Sequence, residues 1–286
     1  IGELKFNEYV VLKANVMSVV NLTVRNGKKI VKAMVTDGTG IMEILWFGMP
    51  YISKSLKVGE EYYFDNKQAH HAGNVVRLNN EKVRLVHDGI GYFGTCYSKG
   101  NDFVAMVDSI DESVNEVGVE ITLAVAMLRK EKFELVLQKA AELGVTKIIP
   151  FEASRCVAKY KKEKEDKLLK RYGDILLEAS EQCKRNIIPE IISPIKFSDL
   201  DKHVSELNFV PYENAYGNSE FLSDLLKEKK SVTVVIGPEG GFSEEEIAYL
   251  LAKGYEKVTL GSRILRAETA AICVCSIISE NFEALV

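Results

Sequence analysis

Long apolar runs are missing from this chain: no stretch approaches the ~20 consecutive apolar residues that a membrane-spanning helix needs. The first residues also lack the basic, apolar and small-residue order of an export signal. A soluble, cytoplasmic protein with no membrane partner is therefore expected. Cysteine is sparse, five in 286 residues, with no C-x-x-C pair and no neighbouring histidines at zinc-ligand spacing. No metal is expected, and Cys273 and Cys275, in an apolar segment, are read as core. His70 and His71 stand together without a carboxylate at ligand spacing, so a loop or helix-start role is expected for them. A Walker loop is absent, since no lysine follows Gly241. Excess positive charge is absent as well. The net charge of −4 excludes a uniformly basic nucleic-acid binder.

What is present is sharply local. Between Arg155 and Arg171 stand eight basic residues, Lys159 among them, against three acidic ones. Such a run serves as a solvated helix face or as a phosphate-contacting surface. The length predicts two or three domains, and 47% hydrophobic content is ample for buried cores. Residues 8–20, 28–35, 40–46 and 60–64 read as strands, with turns at Asn26-Gly27 and Asp37-Gly38-Thr39-Gly40 and a short helix over 50–56. That order suits an OB-type barrel. Short strands continue over 82–87, 91–98 and 103–110. Gly89-Ile90-Gly91-Tyr92-Phe93-Gly94 fits G-x-G-x-x-G, but a β pattern follows where a dinucleotide site requires a helix, so it reads as a hairpin turn. From about residue 120, strands (121–127, 147–151) alternate with helices (132–143, 164–184), which predicts a mostly parallel sheet covered on both faces.

The chain is organised around two loops near its end. An apolar strand over 232–236 stops at Gly237-Pro238-Glu239-Gly240-Gly241, and Ser243 with Glu246 forms a capping box that opens a helix. A second strand over 257–260 ends at Gly261-Ser262-Arg263-Ile264-Leu265-Arg266, and Glu268 begins a final helix. In open α/β sheets, loops beyond the carboxyl ends of strands form the ligand crevice.

IGPEGGFSEEE with LGSRILRAETAA resembles the paired signature loops of the RsmE family, methyltransferases of the SPOUT superfamily that modify N3 of a uridine in 16S rRNA of the small ribosomal subunit. The resemblance extends upstream through Gln138 to Val145, Ser154-Arg155, Glu178 to Arg185, Tyr212-Glu213 and Val75 to Leu78. It implies a trefoil-knotted α/β domain binding S-adenosyl-L-methionine, a homodimer, and a small PUA-like RNA-binding barrel. By the same resemblance Gly237, Pro238, Glu239, Gly240, Gly241, Leu260, Gly261, Ile264, Leu265, Ala267 and Thr269 hold the cofactor. It further implies RNA contacts by Arg77, Arg155, Lys159, Lys184 and Arg185. Uridine N3 carries a proton, so transfer needs a base or a cation that stabilises the uridine anion. Arg266 is the candidate for the base or its O4 anion, and Glu268 the candidate proton acceptor or, equally, a helix cap.

The segment from Val35 to Phe64 resembles the OB-fold wedge domain of the RecG helicase through Asp37, Gly38, Thr39, Gly40, Trp46, Phe47 and Tyr51, and implies a site for single-stranded or branched nucleic acid. The expected organisation is an OB-like β segment over 1–61, a PUA-like barrel over 62–115 and the methyltransferase domain over 116–286. The family's N-terminal arginine is replaced here, where Glu61, Tyr62 and Tyr63 stand. A catalytically inactive nucleic-acid-binding protein, dimerised through the knotted domain, is the competing reading.

Overall fold

The computed structural model describes residues 15–23, 29–36, 41–47, 58–113, 115–228 and 230–283. It divides into two compact units, Ile1–Ser113 and Val114–Val286.

In the first unit, β1 (Asn15–Thr23), β2 (Lys29–Thr36) and β3 (Ile41–Phe47) form an antiparallel meander, with Val20 opposite Lys32 and Ala33 opposite Ile44. The expected turns at Asn26-Gly27 and residues 37–40, the helix over 50–56, and the wedge-type residues Asp37 to Gly40 and Tyr51 lie outside the described residues. A second sheet runs β4 (Glu61–Tyr63), β7 (Asp102–Asp111), β6 (Ile90–Lys99), β5 (Glu81–His87) in spatial order. Between β4 and β5, α1 (Asn66–Ala69) opens with a capping box of Asp65 and Gln68 and continues as a π-helical turn over His70–Val76. Arg77 ends it in the left-handed region at φ 61°. The two histidines thus build this helix. The β5 to β6 hairpin turns at Asp88 and Gly89, both at positive φ (50° and 79°), as a two-residue turn compatible with strand twist requires. The first glycine of that pattern makes the turn, and Ile90 to Gly94 continue into β6, so no helix follows it. Leu85, Tyr92, Cys96, Phe103, Ala105 and Val107 make this sheet's core.

The strand around Glu61 pairs with β7. Glu61 accepts hydrogen bonds from Lys99 Nζ (2.5 Å), Tyr97 Oη (2.6 Å) and Tyr63 Oη (2.9 Å). Led by the Lys99 bond, these donors hold its carboxyl down from the usual 4.5 to about 2. A depressed folded-state pKa contributes stability that is full above the unfolded value and is lost as pH falls through the folded one. Carboxyl-resolved NMR titration is expected to place the Glu61 midpoint near 2; a midpoint in the ordinary glutamate range would mean the three donors do not hold it in solution.

The second unit carries one parallel sheet. In chain order its elements are β8 (Ile121–Ala126), α2 (Lys130–Glu142), β9 (Lys147–Glu152), α3 (Glu165–Gln182), β10 (Glu190–Ile191), β11 (Ile195–Lys196), β12 (Leu207–Pro211), α4 (Leu222–Leu225), β13 (Val232–Ile236), α5 (Glu244–Ala252), β14 (Glu256–Val258) and α6 (Ala267–Phe282). The spatial order is β10-β9-β8-β13-β12-β14, with β11 also on β9. The period of two along each strand sends alternate side chains to opposite faces. Ile121, Leu123, Val125, Val232, Val234 and Ile236 join a core with α2, α3 and α6. Ala124, Ala126, Ile149, Phe151 and Val235 pack on the other face against Phe242, Ile247 and Leu250. This two-sided burial is why the central strands β8 and β13 read as nearly continuous apolar runs, broken only by Thr122 and Thr233. α2 runs to Glu142, and Gly144 follows at φ 81°.

β8 and β13 are neighbours, yet the helix after β8 lies on one face and the helix after β13 on the other. Between them is the topological switch point of the sheet, where open α/β sheets leave a crevice.

Candidate active site

The loop after β13 is shaped by close backbone approach. A Cβ on Gly237 would stand 3.0 Å from the Phe242 ring, one on Gly240 would stand 3.1 Å from Arg155 Cβ, and Gly241 sits at φ 68°. The Gly241 N–H donates to the Pro238 carbonyl (2.9 Å), closing the turn. Ser243 then caps α5 in a capping box with Glu246. Glu246 is buried, and its other oxygen accepts the Ser154 N–H (2.7 Å), which ties the loop after β9 to the start of α5. Beneath the loop, Phe151, Phe197, Phe242 and Tyr249 form an aromatic cluster.

The second loop leaves the sheet after β14. Gly261 lies at φ 111° and its N–H donates to Thr259 Oγ1 (3.2 Å). Arg266 is the residue before the first turn of α6, and its carbonyl accepts the Ala270 N–H (2.8 Å). Its side chain makes no cap bond to the helix, and the residue is exposed.

The two loops meet in a cleft of about 310 Å³ lined by Lys132, Pro211, Ile236, Gly237, Pro238, Glu239, Gly241, Phe242, Leu265, Arg266, Ala267 and Ala270. Its chemistry is mixed. The strand end, Phe242, Leu265 and the alanines give an apolar floor, and Glu239, Lys132 and Arg266 bring charge to the rim. Lys132 Nζ is 3.5 Å from Glu239 Oε1 and 3.5 Å from Glu268 Oε2, so one ammonium bridges the first loop and the first turn of α6. The N–H of Arg129, the residue before α2, also donates to Glu239 Oε1 (3.4 Å). Glu239 Oε2 is buried without a hydrogen-bond partner.

Of the residues expected to hold a cofactor, Gly237, Pro238, Glu239, Gly241, Leu265 and Ala267 line the cleft, and Arg266 joins them. Gly240, Leu260, Gly261, Ile264 and Thr269 do not. Leu260 packs against the core, and Ile264 projects into solvent, 83% exposed. Glu268 is also absent from the wall: it is 9% exposed and reaches the cleft through Lys132. Lys132, Pro211, Ile236, Phe242 and Ala270 escaped the sequence reading. Lys132 carried the one signal that could have found it, a cation in the first turn of a helix directly after a switch-point strand.

Among the expected RNA contacts, Arg77, Lys159 and Lys184 are exposed. Arg155 is exposed but uses Nη1 on the Gly240 and Phe242 carbonyls (3.2 Å each), bracing the first loop. Arg185 departs from its expected role. Its side chain is 2% exposed, donates to Glu116 from Nε and Nη2 (2.9 and 2.7 Å), and closes the end of α2 by donating to the Ala141 and Val145 carbonyls (2.9 and 2.8 Å). A guanidinium so enclosed is a structural strut, because burial without such partners would be prohibitive.

Comparison with known proteins agrees with this geometry. A family model described as RNA methyltransferase domain matches residues 115–279. The ribosomal RNA small subunit methyltransferase E of Mesomycoplasma hyopneumoniae is 34% identical over 199 residues, 69% of this chain and 85% of the relative. That of Bacillus subtilis is 30% identical over 230 residues, 77% of this chain and 90% of the relative. A Legionella pneumophila methyltransferase structure with bound SAM aligns at TM-score 0.72 and 32% identity, covering 79% of this chain and 94% of that one. A ribosomal RNA small subunit methyltransferase E from Neisseria gonorrhoeae, bound to S-adenosyl methionine, aligns at TM-score 0.72 and 26% identity over the same shares. The match spans both signature loops and the strands that carry them, and on it the chain belongs to the RNA methyltransferase family.

Proposed function

We propose that this protein methylates N3 of a uridine in small-subunit ribosomal RNA, with S-adenosyl-L-methionine bound in the cleft between the two loops. The observation that carries the reading is the meeting of both loops in a single cleft at the sheet's switch point. The residues fit the cofactor. Gly237 and Gly241 let the loop pass tightly against Phe242 and Glu213, where a Cβ would stand 3.0 Å away, so the backbone itself forms the cleft wall, and an orphaned carboxylate oxygen of Glu239 waits for a donor or a positive charge. When bound, the cofactor supplies an electrophilic methyl group.

The protein's own contribution is placement and charge. Nucleophile and methyl carbon must align at ~3 Å, so a rigid cleft supplies much of the rate. Arg266, exposed on the cleft rim, faces incoming RNA and stabilises negative charge on uracil as the N3 proton leaves. Glu268 lies behind Lys132, so its effect on that proton runs through the ammonium or a water. The exposed lysines around residues 159–170 supply phosphate contacts, whose affinity falls with salt. The reading carries with it a trefoil-knotted C-terminal segment, a homodimer, a PUA-like RNA-binding barrel over 62–115, an OB-like segment over 1–61 that takes single-stranded or branched nucleic acid, and a cytoplasmic location.

Calorimetric titration with S-adenosylmethionine, followed by tritium transfer into small ribosomal subunits lacking the modification, tests it. Binding with transfer to a uridine N3 is expected. Binding without transfer would support the competing reading, an inactive nucleic-acid binder in which Glu61 has replaced the family's arginine.

A further inference from the structure

We infer that Glu239 makes the cleft distinguish the cationic methyl donor from its uncharged-sulfur product, and that Lys132 sets how strongly. The inference rests on the cofactor assignment proposed above. Methyl transfer breaks the S–C bond and forms the N3–C bond. The electron pair of the broken bond stays on sulfur, so the sulfonium becomes a neutral thioether, and the displaced N3 proton passes to solvent. Donor and product therefore share one shape, less a methyl group, and differ by one positive charge. Apolar contacts cannot separate them by much; a charge on the wall can.

The wall holds such a charge. Glu239 lines the cleft with Oε1 engaged by the Arg129 N–H and by Lys132, while Oε2 is shut off from water and accepts no hydrogen bond. A carboxylate oxygen stripped of water with no donor is costly unless a positive charge completes it. Lys132 cannot complete it alone. It is shared with Glu268 at the same 3.5 Å, so two carboxylates and one ammonium leave a formal charge of −1. Arg266 is the other charged group on this wall, but it is exposed, and water weakens its field far more than that of the enclosed Glu239 oxygen. The excess of one negative charge suits a sulfonium and is left unmatched by a thioether, which favours release of the product after transfer.

Calorimetric titration of the full chain with S-adenosylmethionine and, separately, S-adenosylhomocysteine tests this without RNA and without turnover. Glu239→Gln is expected to weaken donor binding about tenfold and product binding less than about threefold. Lys132→Met, which removes the neutralising ammonium, is expected to move the donor-to-product ratio the opposite way. Glu239→Asp, which keeps the charge, is expected to hold the ratio within about threefold of the parent. Equal losses for both ligands in Glu239→Gln, or the same ratio in Lys132→Met as in the parent, would reduce the cluster to a structural clasp and overturn the inference while leaving the cofactor site standing. No donor binding by the parent chain would overturn the cofactor assignment itself.

Discussion

Replacing Arg185 with alanine is expected to destabilise the 114–286 unit by about 3–5 kcal/mol and to lower its unfolding midpoint by roughly 10 °C. The cost arises on two sides at once. Glu116 accepts from Arg185 through Oε2 and from the Asn186 and Ile187 N–H groups through Oε1 (2.9 and 3.0 Å), so losing the guanidinium strands a carboxylate built into the chain's return. The Val145 carbonyl loses this donor too, and the Ala141 carbonyl near the end of α2 keeps only backbone donors such as the Gly144 N–H, an unfavourable change where water cannot reach. Arg185→Lys is expected to recover little, since an ammonium cannot reproduce a fork that serves a carboxylate and two carbonyls together. Thermal or denaturant unfolding of the purified variant measures this. Were Arg185 instead an RNA contact, the midpoint would stay put and only the RNA affinity and its salt slope would change.

Arg266→Ala is expected to lower methyl transfer at least tenfold, within the range lost when one charge-stabilising group is removed from an active site, while S-adenosylmethionine still binds. The reasoning is geometric. Arg266 occupies the cap position of α6, where its backbone serves the helix through the Ala270 N–H and its side chain serves neither helix nor core. Truncation therefore removes the guanidinium without disturbing Leu265 or Ala267, which line the cleft beside it. A fall in kcat with the cofactor Kd unchanged would match a role toward the uridine. Unchanged turnover would remove Arg266 from the reaction, and loss of cofactor binding would mean that its side chain supports the loop.

These two arginines mark the limit of what the sequence could tell. Both stand in motifs of the family resemblance, and both were read as functional because they are charged residues in rare strings. Nothing in the string around Lys184 and Arg185 reveals that the chain turns there through a left-handed Lys184, at φ 62°, and points the next side chain inward. The partner that explains Arg185 is Glu116, 69 residues earlier. Glu268 is a similar case. At the start of a helix it reads as a cap or a base, but its environment is decided by Lys132 on a helix over a hundred residues away.

Local physics, by contrast, was readable. The strand over 232–236 matches β13 residue for residue, and the Ser243 and Glu246 capping box is present as spelled. Both follow from short-range rules: an apolar run with glycine at its end, and an acceptor three residues before its reciprocal partner. The alternation of strands and helices after residue 120 foretold the parallel sheet for the same reason. What the amino-acid order determined by itself was the strands β8, β9 and β13, the helices that follow them, the α5 capping box and the two glycine loops; the short β10, β11, β12 and α4 carry no local pattern that marks them. Only the tertiary structure decided that β8 and β13 lie side by side, and with that adjacency came the crevice and the Lys132 bridge between Glu239 and Glu268; it also brought Glu116 and the end of α2 around Arg185. Hydrogen bonding and capping act over a few residues, whereas which carboxylate an ammonium meets depends on strand order, which no local pattern encodes.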